Sequence, residues 1–163
     1  MVSKKIVKLL NEQIALEADS SNVYLAMAAW AEANGWKGTS AFMHAQTEEE
    51  RGHMKKFMHF LLEVGEQPVV AGMKDPQNTF KDIKEVFKLA LAHERKVTAS
   101  INDIMTEARK SNDYAVTAFL QWFISEQVEE EAAVVQVLDI IEKAGQVSIY
   151  LADKEIGAMR QGK

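Results

Sequence analysis

The sequence predicts an all-α fold: a bundle of four long helices with one long crossover between the second and third, and a short fifth helix at the C-terminal end. Three observations carry that expectation. Apolar residues return every three or four positions along most of the chain, and no run alternates in the manner of a strand. The two prolines, Pro68 and Pro76, both fall within "GEQPVVAGMKDPQNTF", which also holds Gly65 and Gly72 and forms the one long break. With that break and two short turns set aside, four helical stretches of similar length remain.

The first helix is expected from about Lys4 to Asn34, with a stripe at Leu10, Ile14, Tyr24, Ala28 and Ala31. "NGWKGTS" ends it with Gly35 at the C-terminal cap, and Thr39 or Ser40 is placed to cap the next helix. The second helix spans about Thr39 to Val64, with Phe42, Phe57, Phe60, Leu61 and Val64 on one face. The third covers about Lys81 to Lys110 through Ile83, Phe87, Ala90, Val97, Ile101, Ile104 and Ala108. "KSND" supplies a short turn with capping residues. The fourth, about Asp113 to Ala144, carries Val116, Leu120, Phe123, Val134, Val137 and Ile141, and Gly145 stops it. "SIYLADKEIGAM" reads as a short amphipathic helix behind a Ser148 cap, and "AMRQGK" ends the chain without character.

Connection lengths set the topology. The first and third turns are short, so their flanking helices are antiparallel neighbours. The middle connection, about 16 residues at roughly 3.3 Å each, reaches about 50 Å. A helix of about 27 residues is only about 40 Å long. The loop can therefore run the length of the bundle and set the second and third helices parallel.

Each stripe is interrupted by polar residues near the middle of its helix: Glu17 in the first, Gln46, Glu50 and His53 in the second, Glu94 in the third, Gln127 and Glu130 in the fourth. Midpoints meet at one level of a bundle whichever way its helices run. A buried carboxylate without a partner costs several kcal/mol or takes up a proton, and carboxylates gathered at one level also repel one another. No basic residue shares the stripes. A cation is the simplest remedy, and carboxylates with one imidazole suit iron(II) or manganese, with zinc as a substitute. Glu50 and His53, three apart, project from one face toward the same ion.

Over essentially its whole length the chain resembles the bacterial non-haem ferritins. The matching stretches are "NEQIALEADSSNVY" with Glu17 and Tyr24, "EEERGH" with Glu49, Glu50 and His53, "HE" at Glu94, and "FLQWFISEQVEEE" with Trp122, Glu126, Gln127, Glu129 and Glu130. The resemblance implies a ferritin-like bundle with a di-iron ferroxidase centre. One iron would be held by Glu17, Glu50 and His53, with Glu50 bridging to a second iron held by Glu94 and Glu130. Gln127 would stand beside the second iron as a hydrogen-bonding group or a weak ligand. Glu49, Glu126 and Glu129 match the ligands of a third iron site that shares Glu130. The family assembles as a shell of 24 subunits that stores ferric mineral, and the fifth helix corresponds to the one lining its four-fold axes. Position 130 is Glu and position 51 is Arg, where the haem-binding relatives carry His and Met, so haem is not expected.

Two ferrous ions at two-metal spacing can deliver two electrons to dioxygen or to peroxide. Tyr24 and Trp122 are candidates to supply a hydrogen bond or an electron, or else they pack with their polar tips satisfied. Gln127 reads equally as a core hydrogen-bonding residue. Glu49, Glu126 and Glu129 lie at stripe edges, where a solvated surface is the plain alternative. His44, His59 and His93 are off the stripes and read as surface or interface groups, and the eight Met residues as filler.

Composition narrows the classes. The chain has 163 residues, 47% apolar and 26% charged, the proportions of a globular protein and most simply one domain, 1–163. A net charge of -5 gives no nucleic-acid footprint, and the absence of cysteine excludes disulfides and thiolate chemistry. No stretch approaches the roughly 18 apolar residues of a membrane span, and the amphipathic N-terminus does not resemble a signal peptide, so a cytoplasmic protein is expected. Two other readings are open: a di-iron oxidase or peroxide scavenger that stores no mineral, and a non-catalytic helical interaction protein with protonated or paired core carboxylates.

Overall fold

Five helices follow one another: α1 (Lys4–Ala33), α2 (Lys37–Glu63), α3 (Ile83–Lys110), α4 (Tyr114–Ala144) and α5 (Ile149–Ala158). The computed structural model describes residues 2–145 and 148–159. The end of "AMRQGK" lies outside the described residues. No described helix is long and apolar enough to cross a membrane.

The crossover can be followed rung by rung along α1. The Val69 amide donates to Asn11 at 2.6 Å. Further on, the Lys74 amide donates to Asp19 at 2.9 Å and the Lys74 carbonyl accepts from Asn22 at 3.2 Å. At the top, Phe80 meets Trp30 edge to face, ring centroids 5.4 Å apart. As the loop advances from 69 to 80, its partners advance from 11 to 30. The loop thus climbs α1 and delivers the chain to the end where α2 began, so α3 runs parallel to α2. The expected crossover is present, and the polar side chains of α1 are what pin it.

The turns use the residues that the sequence marks. Gly35 (φ 81°) and Gly65 (φ 81°) follow α1 and α2 in the left-handed region, where a side chain is strained. Asp113 accepts from the Val116 amide at 3.1 Å to cap α4, and Asp82 accepts from Glu85 at 2.8 Å to cap α3, which therefore starts at Ile83 rather than Lys81.

The start of α2 differs from expectation. Neither Thr39 nor Ser40 caps it; the helix begins at Lys37, after Trp36, which makes no side-chain cap bond. The cap comes from α5. The buried Asp153 carboxylate accepts the amides of Gly38 and Thr39 at 2.8 Å each and the Thr39 hydroxyl at 2.7 Å. An anion at a helix N-terminus is favoured by unpaired amides and by the helix dipole. Ser148 precedes α5 but makes no side-chain cap bond; its carbonyl accepts the Leu151 and Ala152 amides instead.

The core falls into two apolar clusters. One gathers Ile6, Leu10, Ile14, Phe57, Leu61, Val97, Ile101, Leu120 and Phe123. The other gathers Met27, Ala28, Phe42, Phe87, Ala90, Val134, Val137 and Ile156. Along each of the four long helices, the mid-helix polar residues fall in sequence between the two sets.

Candidate metal centre

That polar belt is buried. Glu17, Glu50, His53, Glu94, Gln127 and Glu130 are each at most 3% exposed, and no Lys or Arg is buried among the described residues to neutralise the carboxyls. The sequence compels this placement: each residue occupies a stripe position whose neighbours one turn away are core residues. Burial raises the Glu17 carboxyl well above the ordinary carboxylate range, and the adjacent Glu50 charge adds to the effect. Glu50 is likewise raised, by burial first and then by Glu94, and Glu94 is raised by burial. Held in this form the belt stores unfavourable charge.

Glutamine amides steady the carboxyls. Gln13 donates from Nε2 to Oε1 of Glu17 at 2.8 Å and in turn accepts from Ser100 at 2.6 Å. Gln46 donates to Oε2 of Glu130 at 2.8 Å. Gln127 donates to Oε2 of Glu94 at 3.1 Å, so it acts as a hydrogen-bonding residue here. The hydroxyl of the fully buried Tyr24 donates to Oε1 of Glu94. Burial, followed by the Glu94 charge, pushes the Tyr24 phenol well above its usual value and keeps it protonated to donate. Nδ1 of His53 lies 3.3 Å from Oε2 of Glu50. Oε2 of Glu17 is buried with no amide or hydroxyl donor, and the Glu17 carboxyl can bond the neighbouring Glu50 carboxyl only by sharing a proton with it. An amide donor fixes its sister oxygen, and once that shared proton leaves, the two carboxylates are left facing each other with a cation as the natural partner.

Two sets of side chains converge closely enough to hold an ion. In Glu17, Glu50 and His53, one ligand atom from each lies within 4.8 Å of the other two. The same holds for Glu49, Glu126 and Glu130, of which the first two are half-buried. Glu94 stands beside the first set, turned to Tyr24 and Gln127. Glu129 is exposed and outside both sets. Trp122 is 41% exposed, packs edge to face on His53 with centroids 5.5 Å apart, and holds Lys56 Nζ 3.0 Å from its ring centroid.

Several supporting residues escape the sequence reading. Gln13 sits one turn before Glu17, a spacing that could have revealed it as a donor to that carboxyl. His93, expected as a surface or interface group, is half-buried at the seam between α1 and α3. There Nε2 is 2.7 Å from the Ser20 hydroxyl and its ring meets Tyr24 edge to face, centroids 5.8 Å apart. Burial lowers the His93 pKa to about 4, with Lys96 adding to the effect.

The raised carboxyls set a pH dependence. A carboxyl whose folded pKa exceeds its unfolded value adds stability below the unfolded value, near 4.5, and that stability is lost as pH rises through the folded pKa. The contribution of Glu17, Glu50 and Glu94 to the metal-free protein therefore declines from about pH 4.5 upward. Melting curves of metal-free wild type and Glu17→Gln between pH 5 and 8 should diverge, with wild type losing ground as pH rises. Parallel curves would mean that these carboxyls carry no such strain.

Hard oxygen donors with one imidazole nitrogen, buried together with no buried Lys or Arg among the described residues, fit a divalent transition metal. Comparison with known proteins points the same way. The family model described as "Ferritin-like domain" matches residues 7–144. A bacterial non-heme ferritin of Campylobacter jejuni is 39% identical over 158 residues, covering 96% of this chain and 95% of that one. A probable bacterial non-heme ferritin-like protein of Haemophilus influenzae is 37% identical over 159 residues, 96% of each. The open pore ferritin of Archaeoglobus fulgidus superposes with a TM-score of 0.95 at 32% identity, over 99% of this chain and all of that one.

Proposed function

The chain belongs to the ferritin family, and from that premise we propose that it stores iron, oxidising Fe(II) within its own helix bundle and passing the ferric product to a mineral enclosed by a multi-subunit shell. The observation that carries this is the buried belt of Glu17, Glu50, His53, Glu94 and Glu130, whose carboxyls no buried Lys or Arg among the described residues offsets. Iron is the substrate and cargo. Glu17, Glu50 and His53 receive one ferrous ion. Glu50 also reaches a second, whose other ligands are Glu94 and Glu130. Two ferrous ions give two electrons to dioxygen, which takes up two protons to become hydrogen peroxide, or to peroxide, which becomes water.

The protein's share is charge and position. The carboxylates offset the extra positive charge of the ferric product, so they favour oxidation. Gln13, Gln46 and Gln127 hold three of them in place, as outer partners do in metal sites generally. The outer set of Glu49, Glu126 and Glu130 takes a third ion on the way to the interior; Glu129, exposed and outside that set, is the further ligand that the family resemblance implies for it. Haem has no role in this reading. A cytoplasmic shell of 24 subunits is the assembly that we propose.

Tyr24 serves as hydrogen-bond donor to Glu94 and as an electron source. Tyr24→Phe should leave the number of ferrous ions bound unchanged and slow single-turnover oxidation several-fold. Unchanged kinetics would remove the redox role.

Loading metal-free protein aerobically with a large excess of ferrous iron, then sizing it, tests the whole reading. Hundreds of irons eluting with a very large particle are expected. Two or three irons per chain and no more would make the protein an oxidase or peroxide scavenger, and no retained iron would overturn the ferritin function.

A further inference from the structure

One cation stands against the candidate centre and the proposed reaction does not use it. Lys56 lies three residues beyond His53 and seven beyond Glu49 on α2, so the three share a face. Opposite them α4 presents Trp122, Glu126 and Glu130 at successive four-residue steps. The Lys56 ammonium sits over the Trp122 ring, 3.0 Å from its centroid, and that ring packs on His53. It also lies in the field of Glu126 and Glu49, two of the three outer carboxyls. The indole face attracts the cation and holds it at this spot, where an unrestrained lysine would extend into water.

We infer that Lys56 tunes the outer set of Glu49, Glu126 and Glu130 by charge, lowering its affinity for trivalent ions more than for divalent ones. The inference rests on the reading of that set as an ion site. One divalent ion neutralises three carboxylates and one ammonium together. A trivalent ion leaves a positive charge in excess, and it is repelled by the ammonium in proportion to its own charge. Ferrous substrate is thereby tolerated at the outer set, while ferric product is held less firmly and moves on. Lys56 acts without touching the ion, and Trp122 fixes where it acts.

The test uses the assembled, metal-free full chain with two probe ions: Zn(II), followed by calorimetry, and Tb(III), followed by its tryptophan-sensitised luminescence. Lys56→Met keeps the length and removes the charge; Lys56→Arg keeps the charge. Coulomb energy scales with ion charge, so Lys56→Met should tighten the weakest class of site about tenfold for Zn(II) and about thirtyfold for Tb(III). Lys56→Arg should stay within about twofold of wild type for both. Unchanged affinities in Lys56→Met, or an equal gain for both ions, would overturn the inference. Glu126→Gln separates the two layers of reasoning by removing the weakest class in either background. If Glu126→Gln leaves all binding intact, the outer set is not an ion site and the inference falls with it.

Discussion

Replacing Glu50 by glutamine lowers the initial rate of ferrous iron oxidation by about 100-fold or more, given that outer partners alone are typically worth 10–100-fold. It also raises the melting temperature of the metal-free protein. The two effects have one cause. Glu50 is 1% exposed and its carboxyl is raised by burial and by Glu94, so in the absence of metal its charge is a burden on the fold. A neutral amide relieves that burden and cannot bridge two ions. For a chain of this size each kcal/mol of relief moves the melting temperature by about 2–4 °C. A residue kept for packing would behave oppositely, losing stability on substitution with little change in oxidation. A metal-free Glu50→Gln protein that melts lower than wild type would therefore count against a metal role for the belt.

The second large effect lies far from the centre, at the contact of α2 with α5. A Cβ on Gly38 would lie 1.6 Å from the Asp153 carbonyl oxygen and 2.6 Å from its carbon, and one on Gly157 would lie 2.8 Å from the Gly38 Cα. These are backbone atoms, so no rotamer change makes room. Gly38→Ala must push α5 away and withdraw Asp153 from the first turn of α2. Overpacking costs about 1–3 kcal/mol, and hydrogen bonds to a charged group contribute about 1.5–3 kcal/mol each. A fall in melting temperature of about 10 °C is expected. Gly52→Ala, at a helical glycine where an added Cβ meets nothing within 4 Å, is the control and should not destabilise. A Gly38→Ala protein that melts with wild type would show that α5 docks by other contacts.

What could be read from the sequence divides along the range of the interactions. Stripe positions determine burial, so the belt residues were legible as core polar groups from their spacing alone. Gly35, Gly65 and Asp113 announced their turns because a left-handed backbone or an unpaired amide is a local demand. The cap of α2 was not legible. Its acceptor, Asp153, is more than a hundred residues away, and nothing near Thr39 or Ser40 marks the bond as already made. Which glutamine serves which glutamate was hidden for the same reason. Gln46 and Glu130 meet only after α2 and α4 pack, whereas Gln13 and Glu17 are one turn apart. The ordering of Lys56 over Trp122 belongs to this second kind as well.

The most direct measurement is a crystal structure of the protein soaked anaerobically in ferrous iron, with anomalous scattering recorded at the iron edge. Two strong peaks inside each bundle are predicted, one at Glu17, Glu50 and His53, the other at Glu94 and Glu130, with Glu50 between them. A weaker third peak is predicted at Glu49, Glu126 and Glu130. A belt that stays free of iron while peaks appear only on the surface would contradict the proposed centre.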